Sequence, residues 1–553
     1  MFDVTHDVFN QPPPLEGVNL YAIDRTLDRA VAAYGGAWAR DALVAYGALA
    51  GGELAEHGRL ANRHPPELHR YDRYGHRVDR VEFHPSYHAL MSAGVAHGVH
   101  ALAWEAPREG AHVARAALEL LHNQADSGTD CPLTMTFASI PAIEAEPALA
   151  AEWRPRILSR RYDPRALPAA QKHGVTIGMA MTEKQGGTDV RANTSRAMPR
   201  NERVGAGEAF RLTGHKWFCS APMSDAFLTL AYLDEGLSCF LMPRVLPDGT
   251  ANAIRFERLK DKLGNRSNAS SEIEFKDALG WRVGEPGRGV QTIIQMVALT
   301  RFNCMVGSTA IMRHAVIQAL HHVRHRTVGG VPLIDAPLMR NVVADLVLES
   351  EAALWMSMWL AHALDRPHDE SEAALVRVAT ALGKYWICKR APAHVNEAQE
   401  CLGGLGYIED HVLPRLYREA PVNSIWEGSG NVQCIDLLRA LHRSPATTDA
   451  LLDELAQAKG SNRAYDAATA ALGERLRAGA AEAFEARVLA ERMAVLLQAS
   501  VLIRQTSERV AAAFVRARLA PTSLAYGTLD DPRAADDLLG AIELDLPSAA
   551  SRG

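Results

Sequence analysis

The sequence lacks the signals that would direct the chain to a membrane or to an oxidising compartment. Its first residues, MFDVTHDVFNQPPPLEG, include an early acid and several prolines where a signal peptide needs a basic segment followed by an apolar one. No uninterrupted apolar run reaches about 18 residues, the length expected of a membrane-spanning helix. The seven cysteines are scattered and form no C-x-x-C pair, which favours free thiols over a disulfide framework. We therefore predict a soluble, cytoplasmic protein.

Signatures of several other protein classes are missing as well. No period of about 20 to 50 residues repeats and no long low-complexity tract occurs, which excludes solenoid and fibrous proteins. The formal net charge of −6 gives the whole chain no attraction to nucleic acid, so DNA binding would require a local basic face. The histidine-rich stretch HHVRHR, residues 321–326, has no cysteine or aspartate at finger-like spacing, and we predict no metal site.

The sequence does contain enough apolar material for several cores. Its 553 residues are 48% apolar and 22% charged, which predicts three or four globular domains. Apolar residues recur with helical spacing over residues 21–125, 288–443 and the last 110, whereas residues 175–280 carry short apolar runs broken by turn residues. The predicted fold class is α+β, mainly α. The predicted domains are helical at 1–175, a β-barrel or sandwich at 176–285, a helical bundle at 286–444 and a helical extension at 445–553.

The first chemical motif is MTEKQGGTDV, residues 181–190, a strand candidate that runs into a Gly-Gly turn. Glycines let backbone N–H groups approach a ligand closely. Thr182 and Thr188 add hydroxyl donors that suit a phosphate or the edge of a heterocycle. The alternative for this stretch is a hairpin turn that carries polar side chains and binds no ligand.

A second motif, GHKWFCS at residues 214–220, lies on a predicted strand. Alternation along a strand places Phe218 and Ser220 on one face and Trp217 and Cys219 on the other. An aromatic ring beside a hydroxyl could offer a flat cofactor a stacking surface and one hydrogen bond. Ordinary packing of an aromatic in a core is the alternative.

Two further glycine-containing stretches follow, ECLGGLGY at 400–407 and NSIWEGSGN at 423–431. By itself, Glu427 in the second stretch is typical of an acid in a solvated turn. The ordered set M-T-E-x-x-G-G-T-D, G-x-K-x-F-x-S, R-T-V-G-G, L-G-G-x-G-Y and W-E-G-S-G-N, however, resembles the acyl-CoA dehydrogenase flavoprotein family. The α, β, α order of the segments matches the architecture of that family.

The resemblance implies that FAD binds where the β domain meets the C-terminal helices. It implies that Ser220 hydrogen-bonds flavin N5, that Phe218 replaces a stacked tryptophan, and that Arg326 reaches the FAD pyrophosphate of a neighbouring subunit. Gly329 and Glu400 depart from the family pattern, which has an aromatic residue and a glutamine there. The implied FAD contacts are Met181, Thr182, Gly187, Thr188, Phe218, Ser220, Arg326, Gly403, Gly404, Trp426, Gly428, Ser429 and Asn431.

Glu427 aligns with the catalytic glutamate of the family, which removes the α-proton of an acyl thioester. Such a proton is weakly acidic, so its base has to be positioned and shielded from water. The glycine at position 428 would let the chain pass close to the flavin. The resemblance therefore predicts an FAD-dependent acyl-CoA dehydrogenase-type oxidoreductase with Glu427 as its catalytic base.

Within the family, the chain is most similar to the AidB, or adaptive-response, branch. The similarity rests on VFNQPPPL, GRLANRHPPELHRYD, CPLTMTFA, RLKDKLGNRSNAS and the C-terminal extension. It implies weak acyl-CoA oxidation, a homotetramer, binding of double-stranded DNA through the extension and a part in the response to alkylation damage. The alternative is an ordinary acyl-CoA dehydrogenase of fatty-acid or branched-chain amino-acid catabolism that does not bind DNA.

The extension has one basic stretch. Residues 480–520 contain no glycine or proline and are predicted to form one helix, and six arginines but only two glutamates lie between Arg487 and Arg518. On a single helix Arg487, Arg509 and Arg516 would share a face. With Arg518, they are the predicted DNA contacts, made to the phosphate backbone without sequence specificity. A solvated face with Glu–Arg pairs is the alternative.

Overall fold

The computed structural model describes residues 5–200, 204–479, 483–519 and 531–542. The chain divides into two compact units: residues Glu53–Asn303 form one, and residues up to Gly52 together with those from Cys304 onward form the other. This grouping is coarser than the four predicted domains, whose boundaries stay predictions. Among the described helices, none combines the length and the apolar character needed to cross a membrane.

The unit Glu53–Asn303 begins with the helices of the predicted N-terminal domain. They are α3 (Glu53–Arg63), α4 (Pro85–His97), α5 (Leu102–Glu105), α6 (Ala111–Ala125), α7 (Ser127–Ala138), α8 (Ile140–Ile143) and α9 (Pro147–Ile157). The purely helical prediction is wrong for residues 67–82, where β1 (Glu67–Tyr71) and β2 (Arg77–Glu82) form an antiparallel hairpin. Asp72 makes the turn, because its carboxylate accepts the N–H groups of Tyr74 and His76 at 2.8 and 2.9 Å.

The same unit contains the predicted β domain as one sheet. Its strands are β3 (Ile177–Ala180), β4 (Arg196–Pro199), β5 (Ala209–Ser220), β6 (Ala226–Leu233), β7 (Gly236–Pro243), β8 (Ile254–Leu259) and β9 (Ser270–Val283). The pairing order is β3-β6-β4-β5-β9-β7, β8 pairs with β9, and β6 also pairs with β7. The β6–β7 pairing closes the strands into a ring, which protects their edges.

The other unit is built from long helices and a short hairpin. They are α1 (Arg25–Ala33), α2 (Arg40–Gly51), β10 (Thr327–Val328), β11 (Val331–Pro332), α11 (Pro337–Leu364), α12 (Glu370–Cys401), α13 (Leu413–Glu419), α14 (Gly430–Arg443), α15 (Pro445–Ala456), α16 (Arg463–Arg477), α17 (Ala486–Gln505), α18 (Glu508–Leu519) and α19 (Pro532–Leu539). Helix α10 (Gly289–His325) contains the boundary between the units. Buried Asp24 binds the guanidinium of Arg313, which explains why the first residues belong to this unit.

The basic stretch of the extension is two helices, and the single helix predicted over 480–520 is wrong. Helix α17 ends at Gln505, and Thr506 has an extended backbone with its hydroxyl bonded to the Leu502 carbonyl at 2.7 Å. Ser507 then accepts a bond from the Val510 N–H at 3.4 Å, as an N-terminal cap does. Two hydroxyl residues thus end one helix and start the next without glycine or proline. Residues 480–482 and 520 of the predicted helix lie outside the described ranges.

Helix α18 is held to α11 by a buried cluster of charges. Arg518 donates to Asp345 at 2.5 Å and to Glu349 at 2.7 Å, and Arg390 of α12 donates to the second oxygen of Glu349 at 3.1 Å. Both carboxylates are almost completely buried. The extension is therefore fixed to the helical bundle by pairs that would be unfavourable to break.

Replacing Arg518 by methionine should lower the free energy of unfolding by roughly 3 to 5 kcal/mol, since two buried carboxylates would lose a counter-charge. Urea denaturation measures the effect. Arg509→Gln is the matched control, because the Arg509–Asp537 pair is exposed and its loss should change stability by less than about 1 kcal/mol. Equal stability of the two variants would contradict the structural role of Arg518.

The same cluster predicts how acid affects the variant. Burial alone would raise the pKa of Glu349, but the charges of Arg390 and Arg518 lower it from 4.5 to about 2. Because the pKa is lower in the folded state, the ionised group stabilises the fold above its unfolded-state pKa, and this contribution is lost as the pH falls through the folded-state value. Without Arg518 the pKa of Glu349 rises, so acid unfolding of Arg518→Met should begin at a higher pH than that of the wild type.

Candidate active site

A buried ion pair joins the first two sequence motifs in the unit Glu53–Asn303. Glu183 follows β3, and its side chain is completely buried, as is that of Lys216 on β5. Lys216 Nζ donates to Glu183 Oε1 at 2.9 Å, and the Ser195 hydroxyl donates to the same oxygen at 2.7 Å. The Thr194 N–H donates to Glu183 Oε2 at 2.7 Å. The two motifs are therefore fastened to each other beneath the surface.

The pair is ionised. Burial alone would raise the pKa of Glu183, but the Lys216 charge and the hydrogen bonds from Ser195 and Thr194 hold that pKa well below its usual range. The sequence patterns assigned no role to Glu183 or Lys216. Each lies inside a motif, and a charged residue there does not by itself identify its partner.

The Gly-Gly turn packs around one of the predicted FAD contacts. A Cβ on Gly187 would lie 2.4 Å from Thr182 Oγ1, so a glycine is needed for this approach. The Thr182 carbonyl accepts the Trp217 N–H at 2.7 Å, which links the turn to β5. The Thr182 hydroxyl has no hydrogen bond within the described part of the chain, and Thr188 is exposed. Met181 is half-buried at the start of the turn.

A β-bulge interrupts β5 between Lys216 and Cys219, so the predicted strict alternation is wrong there. Cys219 is fully buried, whereas Trp217 lies partly exposed beneath Lys260, whose Nζ is 3.3 Å from the ring centroid. Phe218 is 51% exposed, which leaves its ring available to a ligand. Ser220, at the end of the strand, has its hydroxyl 3.2 Å from that of Ser270.

The predicted base lies in the other unit, in a short loop before α14. Glu427 is half-buried and has a left-handed backbone, with φ +56°. Lys384 Nζ donates to the carbonyls on either side of it, those of Trp426 at 2.7 Å and Gly428 at 2.8 Å. Gln433 Nε2 donates to the Glu427 and Gly428 carbonyls at 3.1 and 3.0 Å. Sequence reasoning missed Lys384 and Gln433, because neither lies in a motif with a recognised role.

The start of α14 is open to a ligand. Ser429 occupies the N-cap position, yet its hydroxyl makes no capping hydrogen bond. A helix N-terminus with unsatisfied N–H groups attracts anions such as phosphate. Exposed Asn431, in the first turn, accepts a bond from Arg487 Nε at 2.8 Å. Arg487, predicted to contact DNA, therefore contacts a predicted FAD residue.

The remaining predicted FAD contacts of this unit lie at three other places in the helical unit. Gly403 and Gly404 begin a short 3₁₀ helix (Gly403–Tyr407), and a side chain at either position would meet no atom within 4 Å. The Trp426 indole N–H donates to Asn423 at 2.9 Å. Arg326 Nη1 donates to the Asn10 carbonyl at 2.6 Å, so its guanidinium is anchored to the N-terminal segment.

Each unit carries groups of the kinds that a flavin dinucleotide needs. Such a cofactor needs an aromatic or apolar surface for its ring, hydroxyl or N–H donors for its polar edge and an anion-binding site for its phosphates. Phe218, Thr182 and Ser220 offer the first two in one unit. In the other unit, the uncapped start of α14 offers the anion-binding site. The space around Gly403 is open, because a side chain there would meet no atom within 4 Å.

Comparison with known proteins decides the family. The model of the adaptive response protein AidB N-terminal domain matches residues 10–164, and those of the acyl-CoA dehydrogenase middle and C-terminal domains match residues 178–278 and 287–442. The putative acyl-CoA dehydrogenase AidB of Escherichia coli (strain K12) is 51% identical over 481 residues, 86% of this chain and 88% of that protein. The chain belongs to the AidB branch of the acyl-CoA dehydrogenase family.

Other members of the family are more distant. The Caenorhabditis elegans acyl-CoA dehydrogenase family member 11 is 30% identical over 70% of this chain and 64% of that protein. The crystal structure of C. elegans ACDH-11 in complex with C11-CoA has a TM-score of 0.85 at 27% identity and covers 95% of each chain. The acyl-CoA dehydrogenase fold is thus shared over nearly the whole length, including the extension.

Membership in the acyl-CoA dehydrogenase family confirms the predicted fold class and the predicted FAD cofactor. The chain is an FAD-dependent oxidoreductase of the acyl-CoA dehydrogenase type. The roles of the individual site residues stay predictions. Within the described ranges, no three His, Cys, Asp or Glu side chains are grouped as a metal site.

Proposed function

We propose that this chain oxidises acyl-CoA thioesters, with Glu427 as the base that removes the α-proton. The observation that carries the proposal is the placement of Glu427 on a braced, left-handed loop directly before an uncapped helix N-terminus. The family supports a thioester substrate, as does the complex of the similar C. elegans protein with C11-CoA. FAD, when bound, supplies the acceptor for the hydride that leaves the β-carbon.

The residues of this chain have separate tasks in the proposal. The Glu427 carboxylate takes the α-proton, and its half-buried position limits competition from water. Ser429 and the first turn of α14 bind cofactor phosphate, since their donors are unsatisfied. Phe218 presents its exposed ring to the flavin, and Thr182 and Ser220 present hydroxyls to the polar edge of the flavin ring. The other FAD contacts implied by the family complete the site.

Glu427→Gln should bind FAD normally but lose the anaerobic bleaching of flavin absorbance by acyl-CoA. The rate should fall by about 10² to 10⁴, the usual contribution of a general base. Stopped-flow mixing with acyl-CoAs of increasing chain length measures it. Glu409→Gln, which alters an exposed acid in the same unit, is the control and should bleach like the wild type. Bleaching that survives Glu427→Gln would remove this residue as the base, and a wild type inert to every acyl-CoA would remove the substrate class.

We propose in addition that the chain binds double-stranded DNA without sequence specificity and takes part in the response to alkylation damage. The support is its place in the AidB, or adaptive-response, branch and the exposed arginines of the extension. Arg509 and Arg516 form exposed ion pairs with the surface acids Asp537 and Asp531, at 2.9 and 3.9 Å. Phosphates can compete for such exposed partners. A reducing cytoplasm, which fits cysteines that form no disulfide, gives access to the chromosome.

Arg518 has no part in this surface, because it is buried against Asp345 and Glu349. Arg487 is exposed but holds Asn431, so its substitution would affect the cofactor site as well. The clean test of DNA binding therefore uses Arg509 and Arg516.

The double variant Arg509→Gln, Arg516→Gln should bind duplex DNA more weakly and lower the slope of log affinity against log salt by about two, roughly one unit per lost phosphate contact. Fluorescence anisotropy at several salt concentrations measures it. Arg40→Gln, Arg59→Gln removes the same charge from two exposed ion pairs elsewhere and is the control. The first double variant should also fail to protect cells from a methylating agent. Equal DNA affinity of the two double variants would reject this surface, which would leave an ordinary acyl-CoA dehydrogenase as the alternative.

We propose that the chain forms a homotetramer, as the family resemblance implies. The helical unit exposes large apolar side chains that a monomer would leave in water: Val328, Val331, Leu338, Tyr407 and Ile425 are each more than half exposed. Light scattering should give four times the 60.2 kDa chain mass. Val331→Glu, Leu338→Glu should dissociate the assembly, whereas Val78→Glu, at an exposed position of the other unit, should not. A wild-type monomer would contradict the proposal.

A further inference from the structure

Lys384 is a buried cation whose hydrogen-bond partners are not acids. Its relative exposure is 1%, and Nζ bonds the carbonyls of Trp426 at 2.7 Å and Gly428 at 2.8 Å. Within the described residues no carboxylate pairs with it, although buried lysines usually need a counter-charge. The partial negative charges of the Trp426 and Gly428 carbonyl oxygens act as its counter-charge. These two carbonyls flank Glu427, so the contacts of Lys384 hold the loop that carries the predicted base.

A second buried side chain, from helix α14, bonds carbonyls of the same loop. Gln433, on the first turns of α14, is 1% exposed and bonds the Glu427 and Gly428 carbonyls at 3.1 and 3.0 Å. All three consecutive carbonyls of the loop are thereby turned toward buried donors from two helices.

This arrangement fixes a backbone that the sequence alone disfavours. Glu427 has φ +56° and Gly428 has φ +92°. A left-handed conformation is unfavourable for a residue with a side chain and persists only where the surroundings enforce it. Without its two donors, the peptide groups around Glu427 would be free to turn over, and the direction of the carboxylate would change with them.

We propose that Lys384 is a positioning residue for the base: together with Gln433, it clamps the three carbonyls and so fixes the direction in which the Glu427 carboxylate points. This inference rests on the proposed function, since it assigns the base to Glu427. The clamp acts on the backbone and leaves the chemistry of the carboxylate unchanged. Its loss should therefore reduce the rate of proton removal while the binding of acyl-CoA and FAD is kept.

Lys384→Gln removes the charge, and Gln433→Met removes the second donor at similar size. Arg377→Gln, on the exposed side of the same helix, makes the same charge change as the first and is the control. Each variant is tested as the full-length protein loaded with FAD. The readouts are kcat and KM with an acyl-CoA that bleaches the wild type, and amide hydrogen exchange of the loop at residues 423–431.

The expected result is a fall in kcat on the order of 10² for Lys384→Gln, with KM nearly unchanged and faster loop exchange, as expected when a reacting group is misplaced by about 1 Å. Gln433→Met should show a smaller change in the same direction, and Arg377→Gln none. If the wild type oxidises no acyl-CoA, the proposed function fails, but faster loop exchange in Lys384→Gln alone would still support the clamp. Wild-type exchange and kcat in Lys384→Gln would overturn it. Loss of FAD with parallel changes in kcat and KM would overturn it as well, by showing a general structural role.

Discussion

The ion pair between Glu183 and Lys216 is the interaction on which the part of the β domain with the predicted FAD contacts depends. It joins the turn after β3 to the strand that carries Phe218 and Ser220, and both of its side chains are completely buried. Removing either charge would leave the other buried without a partner, which proteins tolerate poorly. The Gly187–Thr182 contact and the bulge at Trp217 lie within a few residues of this pair in the sequence. Two motifs that are about 30 residues apart in the sequence therefore act as one structural element.

In the helical unit, helix α12 has a comparable structural role. Its Lys384 holds the loop of Glu427, and Arg390, from the same helix, binds the Glu349 carboxylate that also receives Arg518 from the extension. One helix thus supports both the predicted base and the attachment of α18. Catalysis and DNA binding, the two proposed functions, share this scaffold, so a substitution in α12 can affect both without touching either ligand.

Much of this architecture could be predicted from the sequence, because it depends on local patterns. Helical spacing and short interrupted runs identified the α, β, α order, and the ordered motifs identified the family. The role of Glu427 that these motifs imply stays a prediction. The failures have a common cause: the deciding contact comes from residues that a local pattern does not contain. Alternation cannot show a bulge, as at Trp217, and a stretch without glycine or proline can still break at Thr506 and Ser507 through side-chain hydrogen bonds. Lys384 was missed because its partners lie about 40 residues away, across a tertiary contact.

The position of Arg518 has a consequence for how the protein is made. Its carboxylate partners Asp345 and Glu349 leave the ribosome some 170 residues earlier, and the same unit also includes the first residues of the chain. Until Arg518 emerges, Asp345 and Glu349 lack one of their counter-charges, so the packing of α18 against α11 is completed only after the extension is made. A chain cut short before this arginine would leave Glu349 with Arg390 as a counter-charge and Asp345 without its pair to Arg518. The charges buried on α11 are therefore fully compensated only by a helix that is made much later than α11 itself.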